Sequence, residues 1–469
     1  MTEMKEINKA MLSLAVPSIL AGITIPLVGM VDMAIAGHLG GGTFPAATLI
    51  GGITVGSTLF DLLYWNFGFL RAGTGGLTAQ AFGRGDRRAQ ADILFRSLGI
   101  ALVSALVLIL LQTVFLDLAF LVVKCSPEAR ILAGRYFRIR ILAAPATLGL
   151  MAVRGWFIGM QDALSSMKTD LLVVAVNIGA SLLLGFGLCS WKGLGYDGIA
   201  TGTVLAQYAG LAFAAGVLRV RYGKGVLADY GLRDARAAFR SRETGRFLRL
   251  GGDLFFRSLC LILIHFGYTL ISARYGDLML AAGAIILKLM LLFSYFTDGF
   301  AYAGETLTGR FIGSRETRKV RMTVRCTFAW SLAIAGFFML LNGLGSGLLF
   351  RVLTSDADVA AAADRFVPWL VAVPLIGCGA YVWDGIYIGA TASRPLRDAS
   401  ILAVALFVLI WWAGSRIGEL SPDPDPAAAV NVRAIHLLLA AYAAHLLVRT
   451  LYQSLCYRTR ILARLPAEG

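Results

Sequence analysis

Long apolar segments alternate with short polar segments along the whole chain. Each apolar segment has roughly 20 or more residues, the length that an α-helix needs to cross the hydrocarbon core of a bilayer. The pattern therefore predicts twelve membrane-spanning helices. They cover approximately residues 11–36, 46–72, 97–121, 136–160, 167–190, 197–218, 251–273, 278–304, 326–350, 366–390, 396–415 and 431–452.

The polar segments between these spans differ in charge. Those after spans 2, 6 and 8 are rich in arginine and lysine, whereas those after spans 1, 5 and 11 are neutral or acidic. Because basic residues are enriched in cytoplasmic loops, we predict that both termini lie in the cytoplasm. We expect the host membrane to be a bacterial inner (plasma) membrane. Arg138 and Arg140 lie near one end of the fourth span, and we expect their side chains to extend to the membrane surface.

The chain repeats itself at a shift of about 230 residues. GTGGLTAQAFGRGDRR at 73–88 matches AGETLTGRFIGSRETR at 303–318, and RGWFIG at 154–159 matches DGIYIG at 384–389. Each half has an even number of spans, so both insert in the same sense, as in transporters built from parallel repeats. We therefore predict an all-α polytopic membrane protein with two pseudo-symmetric six-helix bundles. The predicted domains are an N-terminal lobe at 1–219, a basic cytoplasmic linker at 220–249 and a C-terminal lobe at 250–469.

Composition supports a membrane protein and excludes other classes. The chain is 58% hydrophobic and has a mean hydropathy of +0.73, which is too apolar for a soluble protein of this size. The net charge of +15 comes from loops without interleaved aromatic residues, so we expect no nucleic-acid partner. The six cysteines are scattered singly and the four histidines form no zinc spacing. We expect a monomer without cofactors, apart from a coupling ion.

Asp32 is the acid of the first apolar segment, which also contains Pro17 and Pro26. A carboxylate inside a membrane is costly and by default marks an ion or proton pathway. Membrane helices tolerate prolines when neighbours satisfy the freed carbonyls. Neutralising Asp32 could let the helix bend at either proline, which would couple a proton to a conformational change. The alternative is a static acid that accepts hydrogen bonds from neighbouring donors.

Five segments together are typical of one known family. They are PLVGMVDMAIAGHLG (26–40), YWNFGFLRAGTGGLTAQAFGRGD (64–86), RGWFIGMQD (154–162), TDGFAYAGETLTGRFIG (297–313) and VWDGIYIGA (382–390). In this order they resemble the multidrug and toxic compound extrusion (MATE) family, and within it the DinF-like branch, and the resemblance covers nearly the whole chain. It implies two six-helix bundles arranged as a V, alternating access, and export of organic, often cationic, compounds driven by inward flow of protons or sodium.

The resemblance also implies roles for residues of the first half. Asp32 matches the first-helix acid that the family uses, and Asn177 matches an asparagine that lines the same lobe. One turn after Asn177 some relatives carry an acid where this chain has Ser181. That difference leaves fewer carboxylates for sodium and favours protons as the coupling ion. Asp61, in the middle of the second span, could share the proton or cation, or pair with a base.

The second half contains charged residues inside its spans. Lys288, Asp298 and Glu305 lie on the eighth span and Asp384 on the tenth. Asp298 and Glu305 are seven residues apart, so both can point into the bundle from one helix face. We interpret Glu305 and Asp384 as inter-helix hydrogen-bond pins and Lys288 as the partner in a static salt bridge. A place in the substrate cavity is the alternative for these residues and for Ser181.

The sequence thus favours a secondary antiporter that exports organic, cationic and amphipathic compounds in exchange for protons. The lipid bilayer and small organic molecules are its expected partners. A sodium-coupled exporter is one alternative. Another is a lipid or glycolipid flippase, in which Arg71 and Lys288 would line a cationic cleft. We do not expect an enzyme, because no paired metal-binding histidines or nucleophile–base set can be found.

Overall fold

The computed structural model describes residues 2–39, 45–123, 125–187, 191–228, 230–425 and 428–466. Within these ranges the chain forms seventeen α-helices. They are α1 Thr2–His38, α2 Ala46–Trp65, α3 Phe69–Gly83, α4 Arg87–Leu110, α5 Gln112–Val122, α6 Pro127–Arg140, α7 Ala144–Gly159, α8 Ala163–Phe186, α9 Tyr196–Val217, α10 Leu232–Arg240, α11 Arg242–Ser272, α12 Asp277–Gly313, α13 Thr317–Leu353, α14 Ala357–Asp364, α15 Val367–Gly389, α16 Ser393–Ile417 and α17 Ala429–Arg460.

Twelve helical segments of the described chain are long and apolar enough to cross a membrane, which confirms the predicted number. Eleven of them extend beyond the predicted boundaries at one end or both, and two illustrate the reason. The second span was predicted to end at residue 72 but continues through α3. The residue that favours a helix end is Gly85, which has a φ of 70° and lies well after residue 72. The fourth begins with α6, where the Ser126 hydroxyl accepts a hydrogen bond from the Ala129 backbone N–H and Pro127 occupies the first turn.

The sequence repeat is also a repeat of helix packing. A Cβ atom added to Gly155 on α7 would lie 2.2 Å from the Arg71 carbonyl oxygen on α3. A Cβ atom added to Gly385 on α15 would lie 2.1 Å from the Ala301 carbonyl oxygen on α12. Both members of the second pair follow the first by 230 residues. Only glycine permits this approach of two helix backbones, so the same contact requires the same residue twice.

Two turns repeat in the same way. Gln161 and Thr391 have φ values of 64° and 51°, and Gly85 and Arg315 have φ values of 70° and 61°. Each pair is separated by 230 residues. Side chains other than glycine rarely adopt this left-handed region, which costs roughly 1–2 kcal/mol per residue. The fold therefore imposes the turn geometry even where the local sequence does not favour it.

The described residues group into two compact units. The N unit is Val16–Gly251, and the C unit comprises Met1–Ala15 together with Gly252–Gly469. This division differs from the predicted lobes, since the start of α1 groups with the second half and the linker groups with the first. The Trp330 indole N–H of α13 donates to Asn8 Oδ1 at 3.1 Å. This polar contact was not visible in the apolar pattern that set the predicted boundary.

Candidate coupling site

Asp32 lies buried in α1, with 1% of its surface exposed. Its Oδ2 atom accepts a hydrogen bond of 3.3 Å from the hydroxyl of Tyr136 on α6. Its Oδ1 atom has no hydrogen-bond partner among the described residues. The buried carboxylate therefore keeps one oxygen open to a proton, a cation or water.

Tyr136 connects this acid to a base. The Tyr136 hydroxyl accepts a hydrogen bond of 3.1 Å from Nη1 of Arg140, one turn later on α6. The same guanidinium lies 3.4 Å from the Ser57 hydroxyl and 4.8 Å from the centre of the Phe60 ring, both on α2. Acid and base thus interact through the tyrosine hydroxyl, without a direct ion pair between them.

This placement corrects the expectation for Arg140. We expected its side chain to extend to the membrane surface, but its guanidinium lies among Ser57, Phe60 and Tyr136. Two hydroxyl acceptors and two aromatic rings stabilise the cation inside the N unit. The role of Arg140 was missed from the sequence, where the only signal was an arginine four residues after a tyrosine.

Asn177 and Ser181 lie one turn apart on α8, and both are buried. The Asn177 amide donates to the hydroxyl of Thr203 on α9 at 2.9 Å, and its Oδ1 atom has no partner in the described part of the chain. The Thr203 hydroxyl donates to the Ile199 carbonyl oxygen at 3.3 Å and lies close enough to Asp32 for a polar interaction with it. Ser181 also donates to the Ile199 carbonyl oxygen at 3.3 Å, so it joins α8 to α9.

Asp61 occupies a different environment from Asp32. Its side chain is exposed in the structure and forms no hydrogen bond or ion pair with any described residue. Arg140 is the base that acts on it electrostatically. The structure thus places Asp61 beside the same cation as Asp32, but outside the buried cluster.

The two prolines do not interrupt the first helix. The backbone of α1 is helical from Thr2 to His38, and Pro17 lies half-buried two residues after the part that groups with the C unit. The side chain of Pro26 lies outside the described side chains. The helix backbone therefore continues through both prolines in this structure, although a proline still removes one helical hydrogen bond.

Asp384 on α15 accepts hydrogen bonds from three described side chains of the C unit. Its Oδ2 atom accepts hydrogen bonds from Arg257 of α11 and, at 2.5 Å, from Nη2 of Arg449 of α17. Its Oδ1 atom accepts from the Gln453 amide at 3.2 Å. This arrangement joins three helices, as an inter-helix pin would. Arg257 and Arg449 were missed from the sequence, although arginines within apolar segments are a signal of such a partner.

The remaining charged residues of the C unit lie on α12. The Ser294 hydroxyl donates to Asp298 Oδ2 at 3.2 Å, and Glu305 is completely buried. Lys288 is exposed and forms no ion pair with a described residue, so the expected salt bridge is absent there. Asp298, the nearest acid in sequence on the same helix, is out of reach because ten residues separate it from Lys288. That spacing is about 15 Å along the axis and roughly 80° around it.

The sequence matches the family described as MatE over residues 17–183 and 254–412. It is 34% identical over 406 residues to "DNA damage-inducible protein F" of Escherichia coli, covering 86% of this chain and 85% of that protein. It is 24% identical to the "Probable multidrug resistance protein NorM" of Deinococcus radiodurans, covering 88% of each chain.

Solved structures of transporters have the same fold. One is the outward-facing conformation of a multidrug resistance MATE family transporter, with a TM-score of 0.81, 18% identity, and coverage of 99% of this chain and 97% of that chain. Another is the Vibrio cholerae MATE transporter VcmN in the bent form, with a TM-score of 0.80, 17% identity and coverage of 99% of both chains. At these identities the likeness establishes the fold alone.

Proposed function

Because this chain belongs to the MATE family of transporters, we propose that it exports organic, cationic compounds in exchange for protons. Its family, its all-helical fold and its twelve candidate spans agree with the expectation from the sequence. Its relatives include proteins named for multidrug resistance, which supports organic compounds as the substrate class. The coupling ion and the antiport are our proposal, and they depend on the chemistry around Asp32.

One observation carries this proposal: Asp32 is a buried carboxylate with one oxygen free of described partners. A proton bound at that oxygen removes a negative charge from the interior of the N unit. The loss of charge weakens the hydrogen bond that Tyr136 donates to Oδ2 and frees that hydroxyl to reorient toward other acceptors. Protonation therefore changes the contacts between α1 and α6, as a coupling step requires.

Charge balance explains why proton and substrate would exclude each other. The ionised carboxylate of Asp32 attracts a cationic substrate, whereas the protonated carboxyl does not. Arg140 already supplies one positive charge through Tyr136 and also acts on the exposed Asp61. A second cation is thus attracted only while the acids are ionised. Alternation between proton and organic cation at these acids is the exchange that we propose.

Sodium is the second candidate coupling ion, because Asn177 Oδ1 is also a buried oxygen without a described partner. A hard cation prefers several oxygen ligands, and the oxygens of Asp32, Asn177 and Thr203 would be the first three. One observation favours the proton instead: Ser181 already donates to Ile199 and adds no charge that would help to hold a cation.

The test is proton flux driven by ethidium in proteoliposomes containing the full chain. We compare the wild type with Asp32→Asn, with and without sodium. Asp117→Asn is the matched control, because Asp117 is exposed on α5 and has no described partner. We expect flux that needs no sodium, falls at least tenfold in Asp32→Asn and persists in Asp117→Asn. Flux that requires sodium would establish the second candidate. Flux that survives in Asp32→Asn would show that another residue couples the proton, and Asp298 and Asp61 would be the next candidates.

A further inference from the structure

The segment between the two halves has a strongly basic surface. Residues 219–249 contain nine arginines and lysines but three acids. Seven of these basic side chains are exposed and form no ion pair with a described residue. We call this set the basic linker surface, and its members are Arg219, Lys224, Arg233, Arg236, Arg240, Arg242 and Arg249.

This surface is held in a fixed position on the N unit. The guanidinium of Arg96 on α4 donates to the Ala238 carbonyl oxygen at 3.2 Å and to the Ser241 hydroxyl at 3.0 Å. Arg88, also on α4, forms a 2.6 Å ion pair with Asp234 of α10. These contacts attach both ends of α10 to one membrane helix. The linker predicted from the sequence is thus an ordered part of the N unit in the structure.

The short helix α10 presents its arginines away from α4. Ala238 is buried, and Phe239 packs against the backbone of Gly99. Arg233, Arg236 and Arg240 follow the i, i+3, i+7 spacing of a single helix face. All three are exposed. The apolar side of α10 is therefore used for docking on α4, and the charged side remains accessible.

The end of α10 lies close to the apolar surface of the membrane-spanning region. Exposed apolar side chains of α4 begin at Leu102 and Val103, which are 51% and 52% exposed. Gly99, the contact of Phe239, precedes Leu102 by one helical turn, which is about 5 Å along the axis. We therefore expect the arginines near the end of α10 to lie at the level where lipid headgroups meet the hydrocarbon core.

We propose that the basic linker surface binds the phosphate headgroups of anionic phospholipids in the cytoplasmic leaflet. Phosphates at this level meet unpaired guanidinium groups, whose planar donors match phosphate oxygens. Basic side chains next to a membrane helix are attracted to anionic lipids in this way. Nucleic acid fits less well, because the surface borders lipid-facing side chains and offers no exposed row of aromatic rings for base stacking.

The experiment measures lipid binding by the full chain in an uncharged detergent. Short-chain phosphatidylglycerol and phosphatidylcholine are titrated separately onto the wild type and onto the triple variant Arg233→Gln, Arg236→Gln, Arg240→Gln. A control triple, Arg351→Gln, Arg365→Gln, Arg416→Gln, removes the same charge from exposed arginines without described ion pairs elsewhere in the chain.

We expect the wild type to prefer phosphatidylglycerol and to lose affinity as salt rises. The α10 triple should bind it about 100-fold more weakly at low salt, about fivefold per charge. The control triple should bind as the wild type does. Unfolding midpoints of all three proteins should agree, since the substituted side chains make no described contacts.

Three results would overturn the proposal. One is undiminished binding of phosphatidylglycerol by the α10 triple, and another is an equal loss in the control triple. The third is displacement of the lipid from the wild type by a 20-nucleotide single strand at a concentration below that of the lipid. This would indicate a nucleic-acid surface. If the α10 triple does not fold, the wild-type measurements alone test the proposal. A wild-type lipid affinity that does not change with salt, or that is equal for both lipids, excludes it.

Discussion

The two units repeat the same helix contacts but contain different polar chemistry. Arg154 in the N unit and Asp384 in the C unit occupy the same place in the 230-residue repeat and carry opposite charges. Arg154 forms a single 2.6 Å ion pair with Asp170. Asp384 is bound by two arginines and an amide. The repeat therefore preserves the backbone geometry while each unit satisfies its charges in its own way.

The difference indicates which acid is available for exchange. Both carboxylate oxygens of Asp384 have donors, and one of them has two. Asp32 has one donor and one oxygen without a described partner. A fully bound, ion-paired carboxylate holds helices together, whereas a partly bound one can take up a proton without breaking an ion pair. The comparison supports a structural role for Asp384 and our proposal that exchange occurs at Asp32.

The largest expected effect follows from removing the charge of Asp384. Asp384→Asn leaves Arg257 and Arg449 without an anionic partner inside the protein. We expect the free energy of unfolding to fall by about 3–5 kcal/mol, the usual result of breaking a buried pair. Thermal unfolding in detergent measures this. Asp197→Asn, which breaks a more exposed pair with Arg135, is the control and should cost under about 1 kcal/mol. Equal losses in the two variants would contradict the structural role of Asp384.

The next effect tests the repeated backbone contact. Gly155→Ala and Gly385→Ala each place a methyl group within about 2 Å of a carbonyl oxygen, so the helices must separate. We expect each to lower the free energy of unfolding by about 1–3 kcal/mol. Gly179→Ala and Gly336→Ala are the controls, since no atom lies within 4 Å of their added Cβ atoms. They should be neutral or stabilising by up to about 1 kcal/mol. Unequal losses at Gly155 and Gly385 would show that the two contacts are not equivalent.

A smaller effect tests the connection between acid and base in the N unit. Tyr136→Phe removes the hydroxyl that joins Asp32 to Arg140. We expect a loss of about 1 kcal/mol in stability and roughly fivefold lower proton flux, the equivalent of one hydrogen bond. Tyr196→Phe removes a hydroxyl that donates to the Leu132 carbonyl oxygen, and it should lower stability without lowering flux. Similar flux in the two variants would disprove the coupling role of Tyr136.

The smallest effect concerns the pH dependence of α10 docking. The backbone N–H of Gly231 and the guanidinium of Arg88 hold the pKa of Asp234 below its usual range. The ionised carboxylate therefore supports docking above the usual pKa of about 4, and this support is lost as the pH falls through the lowered pKa. Hydrogen exchange in α10 should be equally slow, after correction for intrinsic rates, from about pH 5 to 8 and faster below about pH 4. A change near pH 6 would contradict this assignment, and so would exchange in Asp234→Asn that is as slow as in the wild type at neutral pH.

The sequence alone determined the features that depend on local pattern. The length of each apolar segment predicted twelve spans, and the repeat predicted two pseudo-symmetric halves, in which Gly155 and Gly385 make equivalent contacts. An acid within an apolar segment identified Asp32 as a candidate. These inferences succeed because hydrophobic length, and the need for glycine where two helices touch, can be read from neighbouring residues.

Only the tertiary structure determined which side chains meet. Asp384 is bound by arginines 127 and 65 residues away, and Tyr136 reaches Asp32 across 104 residues. Arg140 and α10 likewise lie where distant helices provide their partners. Such contacts depend on how helices are rotated and shifted against each other, and a rotation of one residue turns a side chain by about 100°. Apolar patterning sets the buried face of a helix but not the partner of each polar atom on it.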